Sequence, residues 1–291
     1  MKPAAFDYFR PSSLEEALRQ LAACGDSAKV IAGGQSLGPM LNMRLAMPAA
    51  IIDLNDLTEL AYIREEGAQL RIGALTRHEQ IAASKLVQTR CPLLAQAAKT
   101  IGHYTIRQRG TLGGSLAHAD PAAQFPLIAM TLGAQIEIAS PSGSRCLTAP
   151  AFFRSVMATA LACDEIILCV RFPVAGANEG ASFQLFNRRH GDYAIVAVAA
   201  TIALDDERVA HLRLGLSGVS AMPVVCDEMV QPFLGRIANA AWATEVARAV
   251  RAAVTPEDDA RIAAVYRKEL AEDLVQRALT GALARARGPS L

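Results

Sequence analysis

Residues 29–37, with the sequence KVIAGGQSL, are a short apolar run that breaks into two successive glycines. Such a run predicts a β-strand that ends in a turn. Because Gly33 and Gly34 have no side chains, backbone N–H groups of the turn can converge on an anion, and Ser36 adds a hydroxyl donor. A phosphate fits such a turn, although a double glycine after a strand is also common in a plain tight turn. The stretch lacks the GxGxxG pattern of the dinucleotide-binding fold.

A second glycine-rich stretch, residues 109–121 with the sequence RGTLGGSLAHADP, has the same kinds of residue. It contains three glycines and two hydroxyl side chains, Thr111 and Ser115. Two such loops in one domain are able to grip a diphosphate from both sides, because backbone dipoles supply most of the neutralising charge. The pair of stretches therefore favours a nucleotide diphosphate over two unrelated turns.

The segments around these loops predict a mixed α and β organisation. SSLEEALRQLAACG indicates a helix capped by Ser12 or Ser13 and ended by Gly25, and AAIIDL and QLRIGAL indicate strands. TRHEQIAASKLV and CPLLAQAAKTIG indicate helices, and PLIAMTLGAQIEIAS indicates a helix that runs into a strand. From about Asp164 short strands dominate, and Ala-rich helices follow from about Ala238. A cluster of proline and glycine at residues 173–180 predicts the boundary between two domains.

Composition narrows the classes of function. The 291 residues are 52% hydrophobic and 20% charged, without an apolar run long enough to span a membrane, so we expect no transmembrane segment. Charges at Asp7, Arg10 and Glu15 argue against a signal peptide. The net charge of +1 and the scattered basic residues argue against nucleic acid as a partner.

The six cysteines contain no CxxC pair and have mostly apolar neighbours, which predicts reduced core thiols and a cytoplasmic protein. Iron-sulfur clusters and structural zinc usually need closely spaced thiolates, so we expect any such centre on a partner chain. The cysteines are Cys24, Cys91, Cys146, Cys163, Cys169 and Cys226.

Three motifs together resemble a known family. AGGQSLGPMLNMRL, IRQRGTLGGSLAHADPAAQFP about seventy residues later, and FNRRHGDYAIV follow the order and spacing of the FAD-binding medium subunits of molybdenum hydroxylases. That family includes carbon monoxide dehydrogenase and the corresponding domain of xanthine dehydrogenase. The resemblance runs from about residue 1 to 285.

The resemblance implies an α+β fold. It implies a two-lobed α/β FAD-binding domain of the PCMH/VAO type at residues 1–175, with lobes at about 1–57 and 58–175. A C-terminal α+β domain with a small antiparallel sheet and helices is implied at residues 178–291. The cofactor is expected between the two lobes.

The resemblance also implies which residues bind FAD. The first turn is expected to line the diphosphate, the second stretch to form the opposite wall, and Tyr193 to cover the isoalloxazine ring. Ser115 stands where the family often has asparagine or aspartate. Gln124 stands where the family often has aspartate. The expected cofactor-binding residues are Lys29, Val30, Ile31, Ala32, Gly33, Gly34, Gln35, Ser36, Leu37, Ile101, Thr111, Leu112, Gly113, Gly114, Ser115, His118, Gln124, Ile167, Gln184, Asp192 and Tyr193.

Several other residues invite a function, and each also has a plain structural reading. His78, His103 and His118 lack the spacing of a helical metal pair, so we predict no metal site and place His118 near a phosphate or ribose. Residues 188–190, RRH, are either a basic face for a partner or a solvated turn, and Tyr193 on its own also reads as a core tyrosine. Methionines at positions 40, 43 and 47 predict a buried helical stripe.

No nucleophile elbow, Ser-His-Asp order or carboxylate pair is evident, so we expect no conventional catalytic residues and a cofactor that carries the chemistry. The resemblance implies electron transfer from iron-sulfur clusters on a small [2Fe-2S] subunit, next to a large molybdopterin subunit, through FAD to NAD, a quinone or a cytochrome. A dimer of heterotrimers is the expected assembly. The alternatives are a stand-alone FAD oxidase or reductase, and a nucleotide-binding module without redox activity.

Overall fold

A computed structural model describes residues 2–260 and 262–288. Its first unit is a parallel three-stranded sheet in the order β1-β3-β2. The N-terminal helix packs on this sheet through Ala17, Leu18 and Leu21, which meet Ala50 and Ile52. The elements are β1 (Asp7–Phe9), α1 (Leu14–Cys24), β2 (Ala28–Ile31), α2 (Leu37–Asn42) and β3 (Ala50–Asp53).

The second unit is a five-stranded antiparallel sheet in the order β4-β5-β10-β6-β7, with helices packed on one face. Its strands are β4 (Ile63–Glu66), β5 (Gln69–Gly73), β6 (Gln135–Ser140), β7 (Gly143–Thr148) and β10 (Ile166–Pro173), and a hairpin is formed by β8 (Phe153–Ser155) and β9 (Ala158–Thr159). Its helices are α3 (His78–Ala83), α4 (Lys85–Arg90), α5 (Pro92–Lys99), α6 (Tyr104–Arg109), α7 (Leu112–His118), α8 (Gln124–Leu132) and α9 (Ala149–Phe152).

The third unit is an antiparallel sheet in the order β11-β12-β13-β14. Val198 and Ile202 of this sheet pack with the last two long helices, whereas Phe183 and Ala199 pack with the helices of the second unit. The sheet is therefore covered on both faces. The elements are β11 (Glu179–Phe186), β12 (Val196–Asp205), β13 (Arg208–Ser217), β14 (Val224–Val225), α10 (Asp227–Val230), α11 (Ala240–Ala253) and α12 (Ala264–Ala286). Within residues 2–260 and 262–288 there are also 3-10 turns at Gly25–Ser27, Thr58–Leu60 and Gln231–Phe233.

The structure has the predicted α+β class, with two α/β units followed by a small antiparallel sheet with helices. Ser13 caps α1 by accepting a hydrogen bond from the amide of Glu16, and Gly25 ends the helix with φ 54°. The strand before the first glycines is also present, as β2.

Two details of secondary structure were predicted wrongly. TRHEQIAASKLV forms two helices, because Ser84 has an extended ψ of 118° and caps the second through the amide of Val87. The second glycine-rich stretch is not a loop, because α6 ends at Arg109 and residues 112–118 form the whole of α7. The strand after Asp164 is β10, the central strand of the five-stranded sheet, and it ends at Pro173, where the predicted domain boundary begins.

The methionines at 40, 43 and 47 do not form a buried stripe. Helix α2 ends at Asn42, and Arg44 follows in the left-handed region with φ 58°. Met43 is 51% and Met47 67% exposed, because the chain has left the helix at that point. The cysteine prediction is also wrong in part: all six are free thiols, but Cys146 and Cys163 are exposed.

Candidate functional site

The first glycine turn joins β2 to α2 and leaves backbone donors free. Gly34 has φ 66°, a conformation that glycine adopts without steric cost. Within residues 2–260 and 262–288, the amides of residues 33–36 have no hydrogen-bond acceptor in the protein. The side-chain amide of Gln35 donates to the carbonyl oxygen of Gly33 at 2.8 Å, which shapes the turn from within. The turn therefore leaves four consecutive N–H groups available to an anion.

The second glycine stretch does not present its amides in the same way. The amide of Leu112 donates to the carbonyl oxygen of Thr76 at 3.0 Å, and that of Gly113 to the carbonyl oxygen of Ala74 at 2.8 Å. The amide of Gly114 is capped by the Thr111 hydroxyl at 3.2 Å. The expectation that backbone dipoles of both stretches grip a diphosphate is thus corrected, because neighbouring backbone and side-chain groups already use these donors.

Close packing explains the glycine at position 113. A Cβ atom there would lie 2.6 Å from the Cβ of Ala74 and 3.0 Å from its carbonyl oxygen. Helix α7 therefore approaches the chain after β5 more closely than a side chain would allow. The stretch shapes the wall of the site, whereas the first turn supplies its donors.

A cleft of about 800 Å³ lies between the two glycine stretches. This volume falls within the range of about 300–1,000 Å³ typical of ligand sites. Of the residues predicted to bind the cofactor, those that line the cleft are Lys29, Val30, Ile31, Ala32, Gly33, Gly34, Gln35, Ser36, Leu37, Ile101, Thr111, Gly113, Gly114, Ser115, His118, Gln124, Ile167, Asp192 and Tyr193.

Two predicted residues lie outside the cleft. Leu112 is fully buried and points into the core of the second unit. Gln184 lies on β11, where its side-chain amide donates to the Ser182 hydroxyl at 3.3 Å. The predicted contact between Gln184 and the flavin is therefore not supported by this geometry.

The sequence interpretation missed one wall of the cleft. Residues 157–159, 161–163 and 165–166, which begin in the hairpin of β8 and β9, line it together with Leu54 and Leu75. The hairpin turns at Met157, a residue in the left-handed region with φ 54°. Because that position is neither glycine nor asparagine, the usual turn signal was absent.

His78 forms part of the floor of the cleft, although the sequence suggested no role for it. Its ring is 6% exposed and stands edge-on to Phe125, with 4.9 Å between ring centroids. Nε2 lies 2.9 Å from the carbonyl oxygen of Thr111, which only accepts, so Nε2 carries the proton. Burial lowers the pKa of His78 to about 4, so the ring is neutral at neutral pH.

The loop before β12 closes one side of the cleft with Asp192 and Tyr193. Tyr193 is 56% exposed, so it is not a core residue, and it lines the cleft together with Ser36 of the first glycine turn. Partial burial raises the pKa of Tyr193, and the charge of Asp120 adds to this effect. The tyrosine and the first glycine turn therefore line the same cleft.

Across residues 2–260 and 262–288 there is no group of three or more His, Cys, Asp and Glu side chains placed to hold a metal ion. His118 lines the cleft, and the ring of His103 lies 5.5 Å from that of His190. In the same part of the chain no helix is long and apolar enough to cross a membrane.

The residues present fit a dinucleotide with a flavin. Four free amides face the space between the glycine stretches, and the apolar side chains of Val30, Ile31, Ile101 and Ile167 line the same cleft. The amides suit a diphosphate, and the apolar groups suit aromatic rings. Fold and site thus define an FAD-binding protein.

Comparison with known proteins places the chain among its relatives. Residues 4–175 match the family described as the FAD binding domain in molybdopterin dehydrogenase, and residues 181–282 match the CO dehydrogenase flavoprotein C-terminal domain. The alpha subunit of the 6-hydroxypseudooxynicotine dehydrogenase complex of Paenarthrobacter nicotinovorans is 38% identical over 99% of this chain and 97% of the relative. The medium chain of carbon monoxide dehydrogenase from Hydrogenophaga pseudoflava is 35% identical over 98% of this chain and 99% of the relative.

The structural comparison agrees. A solved structure of carbon monoxide dehydrogenase from Hydrogenophaga pseudoflava superposes with a TM-score of 0.94, covering 98% of this chain and 99% of that chain, at 35% identity. The chain therefore belongs to the FAD-binding medium subunits of the molybdenum hydroxylase family, and it is an oxidoreductase subunit. The resemblance noted in the sequence is confirmed.

Proposed function

We propose that this chain transfers electrons within a three-subunit molybdenum hydroxylase. In this proposal the substrate is oxidised on a large molybdopterin subunit, and electrons reach the present chain from [2Fe-2S] clusters on a small subunit. An external acceptor such as NAD, a quinone or a cytochrome then receives them. Support comes from membership of the medium-subunit family and from a relative that is itself named as a subunit of a dehydrogenase complex.

The observation that carries the proposal is the nest of free amides at residues 33–36 facing a large cleft. These donors hold the diphosphate, while Ile101 and Ile167 pack on the rings. When bound, FAD supplies the ability to accept electrons singly and release them in pairs. Tyr193 limits access to one face of the site, and the neutral ring of His78 holds the backbone of Thr111 in place.

The proposal includes the assembly and its location. We propose a dimer of heterotrimers in the cytoplasm, and domains at residues 1–175 and 178–291. The two family matches, which end at residue 175 and begin at residue 181, support that division. Limited proteolysis would test it by cutting between residues 175 and 181.

Visible absorption spectra test the proposal, measured on the chain alone and on the chain co-purified with the products of neighbouring genes. We expect flavin bands in both samples and iron-sulfur absorbance only in the second. Folded protein without flavin bands, before or after added FAD, would reject the FAD site. Substrate turnover by the flavin-loaded chain alone would instead favour a stand-alone oxidase or reductase.

A further inference from the structure

A chain of side-chain hydrogen bonds connects the backbones of the two glycine stretches. The side-chain amide of Asn55 donates to the carbonyl oxygen of Ala32 at 2.8 Å, directly before Gly33. Oδ1 of the same Asn55 side chain accepts from Nη2 of Arg77 at 2.7 Å. Nη1 of Arg77 donates in turn to the carbonyl oxygen of Arg109, directly before Gly110.

The two backbones joined in this way are in close contact. A Cβ atom on Gly33 would lie 2.2 Å from the carbonyl oxygen of Arg109 and 2.8 Å from the Cα of Gly110. The carbonyl group that Arg77 holds is therefore the same group that Gly33 faces.

Both side chains of the link are themselves anchored. The backbone amide of Asn55 donates to Oδ1 of Asp53 at 2.9 Å, and the side-chain amide reaches the same oxygen at 2.5 Å. The hydroxyl of Tyr8 donates to the other carboxylate oxygen of Asp53. The backbone amide of Arg77 donates to the side chain of Gln80 at 2.8 Å, at the start of α3. The link is therefore held at both ends by local structure.

Arg77 is also unusual in its electrostatics. It is partly buried, and within residues 2–260 and 262–288 it forms no ion pair, whereas Arg107 and Arg171 each pair with a glutamate. Desolvation and the nearby charge of Arg109 lower the pKa of Arg77. Its five N–H donors in a planar fork suit two acceptors on different chain segments, which a lysine ammonium on a flexible stem does not replace.

We propose that Asn55 and Arg77 are positioning residues for the diphosphate of FAD, acting by fixing the separation between the first glycine turn and the Arg109–Gly110 backbone. The inference rests on the proposed FAD site and adds a role for two residues outside the glycine motifs. Neither residue is placed against the flavin itself.

The test is a double-mutant cycle on FAD affinity, using the full chain freed of flavin and titrated with FAD. Asn55→Ala and Arg77→Met are each expected to weaken FAD binding about tenfold. The double variant is also expected to lose about tenfold, because the loss of either side chain is enough to disconnect the two backbones. Arg77→Lys, which keeps the charge and most of the side-chain length, is expected to bind like Arg77→Met within about threefold.

Arg171→Met is the matched control, since Arg171 is also partly buried and pairs with Glu137 at 2.6 Å in the five-stranded sheet, outside the cleft. We expect it to keep the wild-type affinity for FAD. The visible circular dichroism of bound flavin at saturation should change in the Asn55 and Arg77 variants and not in this control.

Wild-type affinity in Asn55→Ala and in either Arg77 variant would overturn the inference, as would a multiplicative loss of about a hundredfold in the double variant. Equal losses in Arg171→Met would also overturn it, because general loosening would then be the cause. If Arg77→Met does not fold, Arg77→Lys carries the same comparison. Failure of the wild-type chain to bind FAD at all would reject the proposed function instead.

Discussion

Gly33 faces the carbonyl oxygen of Arg109 so closely that a Cβ atom on Gly33 would lie 2.2 Å from that oxygen. Both partners are backbone, so no flexible side chain can move aside. A Gly33→Ala chain must therefore separate the two glycine stretches. We expect a loss of about 1–3 kcal/mol in the free energy of unfolding, as in other overpacked sites, and at least about tenfold weaker FAD binding.

Gly38→Ala is the control for this change, because a Cβ atom at position 38 meets no other group within 4 Å and the residue lies in α2. Urea unfolding and FAD titration measure both effects. Normal FAD affinity in Gly33→Ala would show that the gap between the stretches does not matter for the cofactor.

Thr111 is predicted to affect stability more than cofactor binding. Its hydroxyl caps α7 through the amide of Gly114, and the loss of such a cap costs about 1 kcal/mol. Thr111→Ala should therefore lower the urea midpoint, whereas FAD affinity should change by less than about fivefold, since the amides of this stretch are already bonded within the protein. Thr111→Ser keeps the hydroxyl and should restore the midpoint. Complete loss of FAD binding in a folded Thr111→Ala chain would mean that these amides do face the diphosphate.

The contrast between the two stretches shows what the sequence could and could not reveal. The strand before Gly33 and the helix capped by Ser13 were predictable, because apolar spacing and capping residues act over a few neighbours. The amides of Leu112 and Gly113 donate to the carbonyl oxygens of Thr76 and Ala74, which lie more than thirty residues earlier in the sequence. Only the folded arrangement of α7 on the chain after β5 assigns different roles to two similar motifs.

The same limit applies to the methionines and to the missed wall of the cleft. Spacings of three and four residues predicted a helical stripe, but the left-handed backbone at Arg44 ends the helix before it can bury Met43 and Met47. Met157 turns a hairpin into the site without the glycine or asparagine that usually marks such a turn. Neither the end of the helix at Arg44 nor the hairpin turn at Met157 can be predicted from the types of residue nearby.

The pH dependence of stability should report on His78. Its pKa is about 4 in the folded chain, mainly because of burial, and about 6.5 in an unfolded chain. The unfolded state therefore binds the proton more readily, so the contribution is complete above pH 6.5 and is lost as the pH falls towards 4. Across this window we expect a loss of about 3 kcal/mol from this group.

His78→Gln removes the titrating ring while keeping an amide N–H for the carbonyl oxygen of Thr111. The difference in unfolding free energy between wild type and His78→Gln, measured in urea at half-unit steps from pH 7 to pH 4, isolates the effect from other groups. His211→Gln is the control at an exposed histidine. A difference that stays constant with pH would show that His78 is not held neutral by burial.

Tyr193 should control how easily small solutes reach bound flavin. Tyr193 lines the cleft while more than half of the residue remains exposed, so its ring is at the solvent-facing side of the site and is not held in a core. Tyr193→Ala should raise collisional quenching of bound-flavin fluorescence by iodide at least about twofold, because the shielding ring is gone and little else packs there. Tyr193→Phe should stay near the wild-type value, since the ring shields the site and the hydroxyl only orients it. Tyr266→Ala, at a partly exposed tyrosine on α12, should leave quenching unchanged. Equal quenching in wild type and Tyr193→Ala would mean that Tyr193 closes a part of the cleft that the flavin ring does not occupy.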